Sequence, residues 1–251
     1  MKKQILYLGD TAIKEAASYL AGIMTYHNLT FDYLASDKIV SPEMLNVEYR
    51  AIIISDYPSA NFPPGQLDLL TKKISKGTGL LMIGGWESFT GLNREYTQTT
   101  LAEVLPVFLQ PTDDRINCPQ PCLIEKNQDH EIIATLPFDQ HPPTIGGFNL
   151  LRAKPQAETI LSARRFSVSR SSTGYTFKPF EKSDPLLVVG HHGQGRVTAF
   201  ASDVAPHWVG GLVDWGDTRV CAQAQNANAI EVGNWYAQFF ANVVKWTAGL
   251  I

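Results

Sequence analysis

The chain has 251 residues, of which 44% are hydrophobic and 18% are charged, a balance that allows one large hydrophobic core. The net charge of -3 gives no basic excess for binding nucleic acid, and the apolar runs are too short to span a bilayer. The odd number of cysteines, three, indicates a reducing compartment, so we expect a cytoplasmic protein with no nucleic-acid or membrane partner.

Strands and helices alternate in the first third of the chain. The N-terminal apolar run stops at Gly9-Asp10, too early for a signal peptide, and is interpreted as a first strand. Apolar strands are predicted at residues 4–8, 31–35, 51–56 and 80–83. Helices are predicted at residues 11–27 with Thr11 as cap, from Ser41 with Pro42 in the first turn, and at residues 66–76. This alternation predicts βαβ units and a doubly wound sheet.

The chain changes character after a short helix predicted near residues 99–105. Residues 107–183 contain many prolines and little helical periodicity, so we interpret them as an antiparallel elaboration or small lobe within a single domain spanning residues 1–251. Predicted elements in the remainder are strands at residues 122–125, 158–163, 176–179, 185–190 and 196–201, a short helix at 129–136 and a final helix at 228–248. His191 and His192 are placed in a hairpin turn between the last two strands.

A glycine-rich turn follows the predicted strand at residues 80–83. It begins with Gly84-Gly85 and continues through Trp86 to Gly91. In an open α/β sheet, ligands bind beyond the carboxyl ends of the strands, and glycine lets the backbone approach another group closely. The turn therefore marks the expected position of a site.

Three stretches together carry a family resemblance. They are residues 83–91, Tyr96 with residues 101–107, and residues 195–208, which contain the sequence SDVAPHW. The chain resembles the putative glutamine amidotransferase family, a branch of the class I glutamine amidotransferase-like (type 1 GATase-like) superfamily. The resemblance implies a flavodoxin-like three-layer α/β/α sandwich with a mostly parallel sheet.

The resemblance does not bring the amidotransferase nucleophile with it. In class I amidotransferases, the turn after this strand carries a nucleophilic cysteine, and a His and a Glu follow a late strand. Here Gly85 or Trp86 stands at the cysteine position, and Ser202-Asp203 stands where the His-x-Glu pair would be. Neither glycine nor tryptophan can attack a carbonyl, so we expect a protein without glutaminase activity.

The residues of the two signatures are expected to converge on a small polar ligand such as a sugar or a carboxylate, with the glycine amides as donors and the tryptophans as flat walls. No cofactor is indicated. The candidate ligand-binding residues are Gly84, Gly85, Trp86, Ser88, Asp203, His207 and Trp208.

Other interpretations stay open. Ser88 with Asp203 and His207 forms a candidate hydrolase set, or Asp203 and His207 act as an acid/base pair; alternatively, Ser88 and Asp203 cap turns. The aromatic loop at residues 208–215 suits a homo-oligomeric interaction module.

A pair of cysteines and a basic stretch are two further segments with a distinct composition. Cys118 and Cys122 have the spacing of half a zinc site, but no second half is present, so no metal is expected. The basic stretch at residues 163–172 is interpreted as a solvated hairpin.

Overall fold

The structure is a computed structural model that describes residues 4–93 and 95–251. The strands are β1 (Ile5–Gly9), β2 (Phe31–Leu34), β3 (Ala51–Ser55), β4 (Gly79–Ile83), β5 (Val107–Phe108), β6 (Arg115–Lys126), β7 (Thr144–Asn149), β8 (Arg152–Ala153), β9 (Glu158–Arg164), β10 (Phe166–Ser171), β11 (Gly174–Pro179), β12 (Asp184–His192), β13 (Gly195–Phe200), β14 (Arg219–Ala222) and β15 (Ile230–Gly233). The helices are α1 (Ala17–Tyr26), α2 (Pro42–Asn46), α3 (Gln66–Ser75), α4 (Leu101–Val104), α5 (Pro206–Val209) and α6 (Asn234–Thr247), with 3-10 turns at Ser59–Asn61 and Gly210–Asp214.

In the described part of the chain, nine strands form one central sheet in the order β2-β1-β3-β4-β13-β12-β9-β6-β7. The first five of these are mutually parallel. Strands β1, β3 and β4 are buried along their whole length, as expected of parallel strands with both faces covered. The chain leaves β1 toward β2 on one side and reaches β3 on the other, so a topological switch point lies between β1 and β3.

The other four strands extend the same sheet with antiparallel pairing. Strands β10 and β11 leave it as a separate hairpin, whose β11 strand is exposed at every residue. These strands come mostly from residues 107–183, where an antiparallel elaboration was expected. The predicted flavodoxin-like α/β fold, a large parallel sheet with antiparallel strands, is confirmed.

Two predicted helix starts are wrong. Helix α1 begins at Ala17 rather than at Thr11, because Asp10 and Thr11 have positive φ values of 52° and 54°, which end β1 in a turn instead of opening a helix. Helix α6 begins at Asn234 rather than near residue 228. The preceding residues form β15, in which buried Ile230 and Val232 alternate with exposed Glu231, a period-two pattern hidden beside the helical one.

Two other predicted helices also differ from the structure. The helix expected at residues 129–136 is a run of turns, and the one near residues 99–105 is reduced to α4. The cap predicted at Ser41 is confirmed, because its Oγ accepts a hydrogen bond from Met44 N at 3.3 Å. Among the described residues, no helix has the length and apolar character that crossing a bilayer requires.

Candidate functional site at the carboxyl edge of the sheet

Three carboxyl groups follow directly after parallel strands. Asp10 follows β1, Asp56 follows β3, and Asp203 lies three residues beyond the last residue of β13. Asp10 and Asp203 are 2% and 7% exposed, and Asp56 is partly exposed. Because the carboxyl ends of parallel strands meet at one edge, these side chains interact with one another beside the switch point.

Asp10 is the innermost member of the acidic group. Tyr7 donates its hydroxyl hydrogen bond to Asp10 Oδ2. Burial, followed by the charges of Asp203 and Asp56, raises the pKa of Asp10 well above its usual range. The buried hydroxyl of Ser55 makes no hydrogen bond of ordinary geometry, although it lies close enough to Asp10 to lower the pKa of that carboxyl.

Asp56 is the member that solvent reaches, and the turn after β4 wraps around it. Its Oδ1 accepts a hydrogen bond from Glu87 N at 2.8 Å, and its own N–H donates to Ser88 Oγ at 3.0 Å. A Cβ placed on Gly85 would lie 2.1 Å from Asp56 Oδ1, so only glycine fits beside this carboxyl. Burial first, then the charge of Asp203, raises the pKa of Asp56 to about 7.

Asp203 bonds to the backbone that follows it. Its Oδ1 accepts hydrogen bonds from Val204 N at 2.6 Å and Ala205 N at 3.0 Å. Burial raises the pKa of Asp203 to about 6, although these two amides act in the opposite direction. The side chain therefore organises the turn before α5 while contributing negative charge to the acidic group.

The amides of the two turn glycines are already bonded within the protein. Gly84 N donates to Phe200 O at 2.8 Å and to Ser202 O at 3.0 Å, and Gly85 N donates to Asn149 Oδ1 at 2.9 Å. The expectation that these amides serve as donors to a ligand is therefore wrong. Sequence reasoning could not see this, because Asn149 lies 64 residues away along the chain.

Asn149 and Asp114 form a buried network that fixes the turn. Asn149 Nδ2 donates to Gly85 O at 3.1 Å and to Asp114 Oδ1 at 2.8 Å. The Asp114 carboxylate also accepts hydrogen bonds from Thr90 N and Gly91 N, at 3.1 and 2.9 Å. The turn after β4 is thus held by side chains that the antiparallel half of the molecule supplies.

The candidate Ser-His-Asp set is not assembled. Ser88 is fully buried and accepts the Asp56 N–H, whereas His207 is exposed in α5 with its ring 6.1 Å from that of Trp86. Within residues 4–93 and 95–251, no hydrogen bond joins Ser88 to His207 or His207 to Asp203. Among the described residues, no hydrogen bond links the Ser88 hydroxyl to a side chain that could act as its base.

The two candidate tryptophans have different surroundings. Trp86 is 49% exposed, and the guanidinium carbon of Arg115 lies 4.6 Å from its ring centroid. Trp208 is 2% exposed, donates from Nε1 to Asn117 Oδ1 at 2.8 Å and packs against Gly147 of β7. Trp86 is therefore partly open to solvent, whereas Trp208 belongs to the core.

The remaining candidates lie away from this edge. Trp215, the other tryptophan of the loop at residues 208–215, is only 7% exposed. His191 and His192 end β12 instead of forming the turn, which is made by the two residues after them. In the part of the chain that the structure describes, no group of three or more His, Cys, Asp or Glu side chains has an arrangement able to hold a metal ion.

Asp10 and Asp56 are the site residues that sequence reasoning did not select. A signal was present, because each stands at the first polar position after a buried apolar strand, in the pairs Gly9-Asp10 and Ser55-Asp56. The pair Ser202-Asp203 repeats that pattern. Of the three, only Asp203 lies in a segment that carries the family resemblance.

Comparison with known proteins settles the family. A family model described as "Putative glutamine amidotransferase" (GATase1-like) matches residues 7–223. The chain belongs to this GATase1-like family. Two solved structures, both described as cytoplasmic proteins of Salmonella typhimurium, have TM-scores of 0.75 with identities of 25% and 29%. Each aligns with 97% of this chain, covering 98% and 99% of the respective Salmonella chain.

A more distant solved structure shares the fold alone. It is a ThuA-like protein from Parabacteroides merdae, with a TM-score of 0.58, 8% identity, and coverage of 99% of this chain and 90% of that one. A search of curated protein sequences found no significant match. In this GATase1-like chain, Gly85-Trp86 follows β4, and the cysteines lie elsewhere, Cys118 and Cys122 in β6 and Cys221 in β14.

Proposed function

We propose that this protein binds a small neutral polyol, of the sugar class, at the carboxyl edge of its sheet. The observation that supports the proposal is the group of strand-end carboxyls at the switch point. Its partly exposed member, Asp56, has a pKa raised to about 7 by burial and by Asp203. Open α/β sheets bind ligands at this position.

The charge of the site favours hydroxyl donors over anions. Asp56, the partly exposed member of the group, presents carboxyl oxygens that accept hydrogen bonds from hydroxyl groups, and the nearby Asp203 adds negative charge that repels a carboxylate. The amides of Gly84 and Gly85, which would have suited an anion, are bonded internally. This narrows the expected ligand from a sugar or carboxylate to a sugar.

Trp86 supplies the apolar part of the site. About half of its side chain is exposed; the His207 ring lies 6.1 Å from its ring, and the guanidinium carbon of Arg115 lies 4.6 Å from its ring centroid. The C–H face of a sugar ring packs well on such a flat surface, while the hydroxyl groups reach the carboxyl of Asp56.

We further propose that the protein has no glutaminase activity and acts in the cytoplasm. The first point rests on Gly85-Trp86 after β4, where no side chain can serve as nucleophile. The second rests on the odd cysteine count and on the two Salmonella proteins described as cytoplasmic.

A second candidate function is acid/base catalysis by Asp56 and Asp203. Their pKa values of about 7 and about 6 are suited to proton transfer near neutral pH. In the described part of the chain, no hydrogen bond joins His207 to either carboxyl, so this candidate replaces the expected Asp203/His207 pair. Turnover of a bound sugar, followed by mass spectrometry, would favour catalysis over binding alone.

The test is a thermal-shift series with neutral sugars and sugar alcohols, dicarboxylates and amines at pH 8, where the Asp56 carboxyl is ionised. We expect only neutral polyols to raise the melting temperature, because a ligand that binds the native state stabilises it. Each shift is measured against the ligand-free form of the same variant.

Asp56→Asn and Trp86→Ala should each remove the shift. Glu131→Gln, which changes an exposed carboxylate elsewhere on the molecule, should keep it. Shifts produced by dicarboxylates but not by polyols would refute the ligand class, and a series without any shift would refute binding at this edge.

A further inference from the structure

Two cysteine side chains lie in contact in β6, away from the carboxyl edge. Cys118 Sγ and Cys122 Sγ are 2.8 Å apart. A regular strand rises about 3.3 Å per residue and would hold residues four positions apart at roughly 13 Å. The local backbone must therefore depart strongly from a regular strand.

An irregularity in the pairing of β6 with β7 brings the two sulfurs together. The register moves from Asn117 opposite Gly147 directly to Cys122 opposite Ile145. Five residue steps of β6 thus span the same length as two steps of β7, so the intervening segment bulges out. This segment contains two prolines, which have no N–H to donate to the ladder, so the sequence itself favours the bulge.

The two thiols differ in access. Cys118 is partly exposed and lines a cavity of about 140 Å³ together with Arg165, Phe166 and Phe180. Cys122 is 1% exposed and is not part of the cavity wall. A small molecule entering the cavity therefore meets the sulfur of Cys118 first.

The electrostatic surroundings of the two thiols also favour reaction at Cys118 over Cys122. The hydrogen bond with Cys122, and then the positive charge of Arg165, lower the pKa of Cys118. The shared hydrogen bond and burial raise the pKa of Cys122 well above its usual range. The accessible sulfur is thus the one favoured as thiolate, the form that attacks disulfides.

We propose that Cys118 and Cys122 form a reversible dithiol site that exchanges with a small organic disulfide bound in this cavity. This inference is independent of the proposed sugar site, which involves neither cysteine.

The exchange has two balanced steps. The Cys118 thiolate attacks one sulfur of RSSR, forming a Cys118–SR mixed disulfide and releasing RS⁻, which takes up the proton that the Cys118 thiol gave to solvent. Cys122 then loses its proton and attacks Cys118 Sγ, forming the internal disulfide and expelling the second RS⁻, which is protonated in turn. The two protein thiols are oxidised by two electrons, and RSSR is reduced to two RSH, so no other oxidant is needed.

The test uses the full chain carrying Cys221→Ser, which removes the exposed third thiol. This protein is incubated with excess bis(2-hydroxyethyl) disulfide at neutral pH. The reaction is quenched with acid, and the protein mass is measured by intact-protein mass spectrometry. We expect the loss of two hydrogens, no lasting adduct, and recovery of both thiols with excess 2-mercaptoethanol.

Two further variants in the same background assign the roles. Cys122→Ser should trap one hydroxyethylthio adduct on Cys118, because the resolving thiol is gone. Cys118→Ser should react at least about tenfold more slowly, since only the buried thiol remains. Because Cys122→Ser alters the core, the melting temperature of this variant is measured as well. If Cys122→Ser does not fold, the reaction rate of Cys118→Ser still tests the proposal.

The pH dependence of the alkylation rate of Cys118 is a further measurement. It would not change if Arg165 had only a structural role. Arg165→Gln should shift it to higher pH, because the positive charge that favours the thiolate is lost. Persistence of both thiols in the Cys221→Ser protein, a stable adduct without ring closure, or equal rates in the two single variants would overturn the proposal.

Discussion

The two halves of the central sheet carry chemistry in different places. In the parallel half, strands β1, β3 and β13 run unbroken and are followed by carboxyl groups at one common edge. In the antiparallel half, the notable side chains lie within a strand, where β6 loses its register with β7. Parallel strands gather functional groups at their ends, whereas an antiparallel ladder exposes them where its pairing is interrupted.

The two halves depend on each other at the turn after β4. Asn149 at the end of β7 and Asp114 before β6 hold the turn that surrounds Asp56. Trp208 after β13 is held in turn by Asn117 of β6. The antiparallel strands are therefore a support for the carboxyl edge as well as an extension of the sheet.

Gly9→Ala should give the largest effect, in the parallel half. The added Cβ would lie 1.5 Å from Ser55 O of the neighbouring strand, at a φ of 129°. We expect a loss of at least ~3 kcal/mol in the free energy of unfolding, measured by urea denaturation.

Gly174→Ala is the matched control in the exposed hairpin. Its φ of 142° imposes similar backbone strain, but the new Cβ meets nothing within 4 Å. We expect a cost of only about 1 kcal/mol. Equal losses for the two variants would show that the close approach of β1 to β3 is unimportant.

Asn149→Ala tests the contact between the two halves of the sheet at the turn after β4. The change leaves the buried Gly85 N–H and the Asp114 carboxylate without their side-chain partner, which should cost about 3 kcal/mol of stability. Asn127→Ala, which removes an exposed asparagine bonded to Ser162 Oγ at 2.7 Å, should cost about 1 kcal/mol or less. A smaller effect at Asn149 than at Asn127 in a urea titration would contradict the supporting role.

Asp56→Asn should stabilise the protein at alkaline pH. A carboxyl whose folded pKa of about 7 lies above its unfolded value binds more protons in the folded state, so stability falls as pH rises from about 4 to about 7. The neutral amide keeps an oxygen for Glu87 N and avoids that loss. We expect a gain of roughly 1–3 kcal/mol at pH 8 and little change at pH 4, from denaturation at both values.

Asp113→Asn in the antiparallel half should behave oppositely. Its hydrogen bonds with Arg115 lower the pKa of Asp113, so its contribution is present above the unfolded pKa and lost as pH falls. Because the pair is largely exposed, we expect a decrease of at most about 0.5 kcal/mol at pH 8. Stabilisation by this change at pH 8 would mean that a gain in stability on removing a carboxylate is not confined to the buried acidic group at the carboxyl edge.

Local pattern decided how much of the fold was predictable. Continuous apolar runs located β1, β3 and β4, and the cap at Ser41 was predicted correctly, because burial on both faces and capping both act within a few residues. The starts of α1 and α6 were missed where positive φ at Thr11 and strand pairing of Ile230 competed with a helical spacing. For the candidate site, the sequence pointed to Asp203 and Trp86, and it did not point to Asp10 or Asp56.

Local patterns in the sequence were enough to indicate the family and the βαβ order, and to place Gly85-Trp86 after β4. The packing of distant segments set which of these groups are bonded or buried within the protein. It bonded the glycine amides to Asn149 and Phe200, buried Ser88 and Trp208, and brought Asp10, Asp56 and Asp203 together. These outcomes depend on hydrogen bonds, burial and charge between residues that are tens of positions or more apart, and no local pattern records them.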